Sequence, residues 1–499
     1  MPISCCPGAG FAPGRAYLAA VPRFLLFFLT LVALFNLSRV LREPRPGPDR
    51  PMDFRTCYVG QAVLRQGLNP YDDATLKTGW QHIIRQDNLV SRTQPGLPNL
   101  PFLYPPWAAA LLGLTIGRVS YAVAWPLWLV LALLSLGLLA RLWPGVLKAE
   151  TALVAPWWQF LLAAVALKGT VPALLNGQPT FLALALGVGA LAVSRQPQGS
   201  FRKQRNSTAG TEAVGARFRE SEDAKAAEAK LTAVDALTIL MRNAPQMPLW
   251  RPVLAGLFLG LVAFKVTLLL PFAAWFLWRK QWLTLAVAAV VVAVLSAVAW
   301  HWAAFPADLV PTYQHLLAQV RTQSFNPADP AYPLTQGLTL RLELGNVLEW
   351  LRPGSSAWHW PLHAALWLAA GLRLAQLRRQ GARLADWHIF LVLSTLTLLT
   401  TYHLYYDAVL LLPLLVFGLQ IPRPQQWLLL GLMLPLLLPL NGLALALGNP
   451  VGLHFLYFLP PLGLLGLLGL LLAWSGLESP CNSASPPAPL SKKEGALDE

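Results

Sequence analysis

The sequence predicts an all-α protein, a polytopic transmembrane helical bundle. Three observations carry that reading. Of 499 residues, 55% are hydrophobic and only 12% are charged, about half the charged share of a soluble domain. Many apolar runs approach the roughly 20 residues that a helix needs to cross a bilayer. None of them shows the short alternating strands of a membrane β-barrel.

The apolar segments lie near 17–38, 105–117, 122–142, 152–168, 178–194, 252–278, 282–302, 356–376, 387–401, 408–421, 426–443 and 452–475. Together they predict about 10–13 spans. The first starts late and ends at "FNLSRV" with no small-residue cleavage site, so it reads as an anchor helix. Residues 1–16 are then a tail, 17–475 the transmembrane domain, and 476–499 a Ser/Pro-rich disordered tail. Three polar stretches interrupt the bundle, at 39–104, 195–250 and 303–355. The middle one has linker composition, then Leu231, Val234, Leu237 and Leu240 at helical spacing. That spacing predicts a helix lying on the membrane surface.

The stretch "MDFRTCYVGQAVLRQGLNPYDD", residues 52–73, is polar for such a chain. It predicts a short helix after Pro51, ended by Gly67. Asn69-Pro70-Tyr71 then makes a turn, and Asp72 or Asp73 caps a second helix. The bland role for Asp53 is also a helix cap. Tyr104-Pro105-Pro106 closes the loop and opens a span, with Tyr104 and Trp107 suited to the interface.

The net charge is +15. The bases sit in loops between apolar runs and form no nucleic-acid motif, so they point to a membrane surface. Cys5, Cys6, Cys57 and Cys481 have neither zinc nor disulfide spacing. Arg378, Arg379 and Arg383, like Arg279 and Lys280, mark short cytoplasmic loops. That places 303–355 and 401–407 outside the cytoplasm. Two schemes fit 39–104. In one, 252–278 is a single span. In the preferred one, it is a hairpin broken near Lys265, segment 105–117 does not cross, and 195–250 is cytoplasmic. Both place Asp53 on the side of His403.

A few polar residues stand out against the apolar background. Lys265 lies mid-run, where an unpaired charge is costly. Gln178 opens a span beside Gly177, at a helix start that could receive an anion. His403 sits between Tyr402 and Tyr405-Tyr406, with Asp407 one helical turn on. Packing, snorkelling and an aromatic belt are the bland alternatives.

"DF" before an aromatic-rich helix, then "GLNPYD" and "FLYPP", resembles the family 87 glycosyltransferases. "LNGQPTFLALAL", "AGLFLGLVAFKVTLLLPFAAWFLWRKQW", the loop 303–355 and "YHLYYDAVLLLPLL" are similar to that family too. The likeness spans about residues 20 to 420. In the outer loop, "YPLTQGLTLRL" keeps Gln336, Gly337 and Arg341 of the polar stretch expected there.

The resemblance implies a GT-C fold whose first outer loop carries short helices on the membrane. It implies transfer of a hexose, mannose first, from a polyprenyl-phosphate donor. The acceptor would be a lipid or glycan, reached outside the cytoplasm among membrane lipids. It maps the catalytic base onto Asp53, and one step with one base implies inversion. A departing lipid phosphate needs cations or hydrogen-bond donors rather than a strong acid. His403, His315, Arg341, Arg321 and Lys265 are candidates, with Gln178, Tyr104 and Asp72 as further substrate contacts. Asp72 and Asp73 could join Asp53 around a divalent ion, but capping is the simpler role. No metal and no cofactor are expected. The rival class, a transporter or lipid flippase, would show charge pairs spread through its spans.

Overall fold

The computed structural model describes residues 23–42, 52–89, 102–148, 156–194, 249–304, 306–322, 341–352, 354–380, 384–401, 403–418, 423–438, 440, 447 and 455–473. Both chain tails, the helix expected around 231–240, and Gln336 and Gly337 lie outside them. Among the described residues the fold is all-helical. An isolated antiparallel bridge between Arg341 and Leu404 is the one departure.

The apolar segments become helices close to where the sequence puts them: α1 (Arg23–Arg42), α2 (Met52–Arg65), α3 (Asp73–Gln86), α4 (Pro106–Leu114), α5 (Tyr121–Lys148), α6 (Trp157–Ala166), α7 (Thr170–Leu175) and α8 (Thr180–Ser194). After the charged stretch come α9 (Trp250–Val262), α10 (Val266–Trp278), α11 (Trp282–Trp302) and α12 (Pro306–Thr322). The chain continues with α13 (Leu344–Leu351), α14 (His359–Arg379), α15 (Asp386–Thr400), α16 (Leu412–Gly418), α17 (Arg423–Leu437) and α18 (Leu459–Ala473). Leu127, Val130 and Leu134 of α5 are exposed. In water such a face would be an aggregation surface, whereas in a bilayer it is the solvated one.

Tyr121–Val146, Trp250–Trp278 and Trp282–Trp302 are long and apolar enough to cross a membrane. The second of these runs is folded back on itself. Lys265, with φ −120° and ψ 82°, breaks the helix between α9 and α10. Helix α8 records the reversal. Thr180 at its start touches Lys265. Further along, a Cβ on Gly187 would overlap the Phe272 ring, and one on Gly189 would lie 3.4 Å from Phe258. Phe258 and Phe272 stand seven residues before and after Lys265, so both arms run away from it alongside α8.

Helix α11 confirms the direction. Gly256 packs on Thr284 and Val287, and Gly260 on Ala288 and Val291, so α9 and α11 are parallel. The two glycines, four apart, let the backbones approach as small residues do in membrane helix pairs. The hairpin therefore stops partway along α11. The remaining depth is filled by α4, only 9 residues or about 14 Å long. The Trp107 indole donates to the Ala263 carbonyl at the hairpin tip (2.9 Å). Gly113, further along α4, meets Trp302 near the end of α11.

Helices α2 and α3 form a second core over that end. Phe54 packs against Tyr58, Tyr121, Trp125 and Trp128. Helix α2 ends at Gly67, whose φ of +76° suits glycine, and Gly67 lies against Ala304. Asn69 Oδ1 accepts from the Tyr71 amide (2.9 Å), closing the expected turn. Asp72 caps α3, accepting from the Thr75 amide (2.8 Å).

Candidate functional site

The N-terminus of α2 is closed from outside its own segment. The amides of Asp53 and Phe54 both donate to the Asn176 carbonyl (3.1 Å each). That carbonyl does the work of a capping side chain, so the Asp53 carboxylate is not spent on its own helix. The approach needs Gly177, whose φ is +69° and whose Cβ would fall 2.5 Å from that of Phe54. The Trp128 indole fixes the same turn by donating to the Gly177 carbonyl (2.9 Å).

Asp53 is half-buried. Its pKa is pushed up from 3.8 to about 6. Desolvation is the main cause, opposed by a hydrogen bond from Gln178 and the charge of Lys265, and reinforced by the charge of Asp407. Gln178 also donates to the Tyr406 hydroxyl (2.9 Å). Cys57 and Tyr104 lie within electrostatic reach of Asp53 and of each other. Burial pushes both of these groups up, so they stay protonated and neutral.

The neighbouring charges are tightly paired. Lys265 Nζ, at the hairpin tip, donates to Asp407 Oδ1 (2.5 Å) and Thr180 Oγ1 (2.6 Å). Thr180 in turn donates to Asp407 Oδ1 (3.0 Å). His403 Nδ1 lies 2.9 Å from Asp407 Oδ2. Its Nε2 is buried without a hydrogen-bond partner among the described residues. A ring whose Nδ1–H is held by a carboxylate presents Nε2 as an acceptor, or as a second donor once protonated.

Residues 403–407 are held from two sides. The Leu342 amide donates to the His403 carbonyl (2.9 Å), next to the Arg341–Leu404 bridge. Arg341 is buried and pairs with Glu343 (3.1 Å). Opposite, Gly169 lies so close to the Tyr405 and Tyr406 backbone that a Cβ would overlap it. Lys168 stands over the Tyr405 ring at 5.8 Å, as Lys265 does over Tyr406 at 5.2 Å.

Of the residues singled out from sequence, Asp53, Gln178, Lys265, His403 and Tyr104 converge here, and Arg341 joins through the backbone. Asp72 is exposed and engaged as a helix cap. His315 is exposed on α12. Arg321 lies in the last turn of the same helix. Among the described residues no group of three or more His, Cys, Asp or Glu could hold a metal. Three members carried no adequate sequence signal. Asp407 was visible only as a partner of His403, Thr180 looked like an ordinary span residue, and a backbone carbonyl such as that of Asn176 leaves no trace in composition.

Residues 227–401 match Glycosyltransferase family 87. The chain carries a family 87 glycosyltransferase domain. No curated protein and no solved structure matches it. The matched stretch contains the hairpin with Lys265, and Arg341. Asp53, Gln178, Thr180, His403 and Asp407 come from the flanking sequence and complete the same cluster. A glycosyltransferase domain implies a transferase with a sugar donor and an acceptor, and the long apolar helices point to a multi-pass membrane protein.

Proposed function

We propose that this protein transfers a hexose, mannose first among candidates, from a polyprenyl-phosphate donor to a lipid or glycan hydroxyl, with inversion. The observation that carries the reading is Asp53, a carboxylate kept off its own helix cap and raised toward neutrality beside a buried Lys–Asp–His cluster. The acceptor oxygen attacks the anomeric carbon as the bond from that carbon to the phosphate oxygen breaks. The phosphate leaves with the bonding electrons on its lipid carrier. Asp53 takes the acceptor proton as the new bond forms, a contribution of about 10²–10⁴-fold. A single displacement inverts the anomeric centre.

The leaving phosphate needs positive or donating groups already in place. Lys265 and the Nε2 edge of His403 suit that task, and Gln178 holds Asp53 toward the acceptor. The active face is the end away from Arg279 and Lys280, which makes it extracytoplasmic if the basic end is inside. A transporter or flippase would spread paired charges along its spans, whereas here they gather in one cluster. The test is transfer of radiolabelled hexose from synthetic polyprenyl-phosphate donors in membranes with normal protein levels. Asp53→Asn should lose at least about a hundredfold in rate. Full activity in that variant removes Asp53 as base.

A further inference from the structure

At the opposite end of the bundle, a cavity of about 480 Å³ is walled by Trp278, Ile389, Arg279, Lys280, Arg378 and Asp386. It lies between the α10–α11 turn, the end of α14 and the start of α15. Asp386 is offset by Arg279 at 3.4 Å, which leaves Lys280 and Arg378 as uncompensated positive charge among the described residues of the cavity wall. Arg378 is stacked over the Trp278 ring at 6.0 Å, which orients the guanidinium while leaving its N–H fork available.

Lys280 occupies an unusual backbone position. The Gln281 amide donates to the Phe276 carbonyl and the Lys280 amide to that of Leu277. Those two bonds make a Schellman motif, whose left-handed residue is usually glycine. Here it is Lys280, with φ +55°. A lysine held in a conformation that disfavours side chains points to use of its charge. Around the cavity, Leu277 and Trp282 are exposed apolar side chains, so the mouth borders the lipid-facing surface.

We propose that this cavity binds the phosphate headgroup of an anionic bilayer lipid. Lys280 and Arg378 contact the phosphate, and Trp278 and Ile389 receive the apolar part next to it. Basic pockets between helices at the cytoplasmic surface suit such headgroups. The lipid source is favoured over free phosphate because one wall is apolar and the mouth opens beside lipid.

The test uses the full chain in neutral detergent. Its thermal midpoint is followed while phosphatidylglycerol, phosphatidylcholine or inorganic phosphate is added. Phosphatidylglycerol should raise the midpoint saturably, and the other two should not. Lys280→Gly keeps or improves the turn, so its own fold is not at risk, and Arg378→Gln keeps length and stem. Each should weaken the apparent affinity about fivefold. Arg251→Gln, outside the cavity, should leave it unchanged. The proposal is overturned if both cavity variants keep wild-type affinity, or if Arg251→Gln weakens it equally. An equal response to inorganic phosphate would make this a free-anion site and end the lipid assignment. Sugar transfer is not read, so failure here leaves the transferase reading untouched.

Discussion

Lys265 and Asp407 lie 142 positions apart in the chain and meet at 2.5 Å, both almost fully enclosed by protein. Removing one partner of such a pair strands the other charge. We expect Lys265→Met to cost about 3–5 kcal/mol of stability. Lys265→Met with Asp407→Leu should recover most of that loss, because no buried charge is left alone. Neither variant should transfer sugar. Thermal unfolding in detergent separates the two effects. A double variant no more stable than the single one would show that the pair is not what holds the hairpin tip.

Asp53 gives a prediction with a definite sign. Its pKa in the folded protein is about 6, above the ordinary 3.8. The fold therefore binds this proton more tightly than the unfolded chain does. The resulting stability is full below pH 4 and is lost as pH rises through about 6. A base must be ionised, so transfer should rise with pH across the window in which that stability falls. Asp53→Asn should abolish the rate profile and be more stable than wild type above pH 6, by up to about 3 kcal/mol. Paired pH–rate and pH–stability curves check this. A wild-type rate flat between pH 5 and 7.5 would contradict it.

Two glycines hold the site together through backbone contact. At Gly177, an added methyl meets Phe54 and a positive φ as well. At Gly169, it meets the Tyr405–Tyr406 backbone, which cannot rotate away. Gly169→Ala and Gly177→Ala should each destabilise by about 1–3 kcal/mol. Both should cut the rate out of proportion, since each displaces a segment bearing Asp53, His403 or Asp407. Gly137→Ala, where a Cβ meets open space, serves as the control and should be silent in both unfolding and transfer assays.

Much of this is legible in the sequence. An ionisable or amide side chain inside an apolar run is expensive, so Lys265, Gln178 and His403 announce themselves against the grain of the pattern. Helix limits followed from length, proline and glycine, and the turn at Asn69 from its own side-chain chemistry. The rest depended on distance along the chain. Nothing local tells Lys265 that its partner is Asp407, or tells α2 that the Asn176 carbonyl will cap it. Asp72 looked like Asp53 in sequence, being an acid at a helix start. The difference is that α3 takes its cap from its own chain neighbour Asp72, while α2 takes the Asn176 carbonyl and leaves the Asp53 carboxylate out of its cap.

The hairpin at Lys265 decides the topology, and it can be tested without activity. In a background with Cys5, Cys6, Cys57 and Cys481 changed to serine, single cysteines replace Leu249, Lys280 and Gln86. All three positions are exposed. Leu249 and Lys280 flank the two arms, so they should react with a membrane-impermeant maleimide from one face only. Gln86 belongs to the helices that sit over the far end of α11, because Gly67 rests on Ala304 there. It should react from the opposite face. If Leu249 and Lys280 label from opposite faces, Trp250–Trp278 is a single crossing. Lys265 would then lie in mid-span rather than at a tip, and the shared depth of α4 and the hairpin would be lost with it.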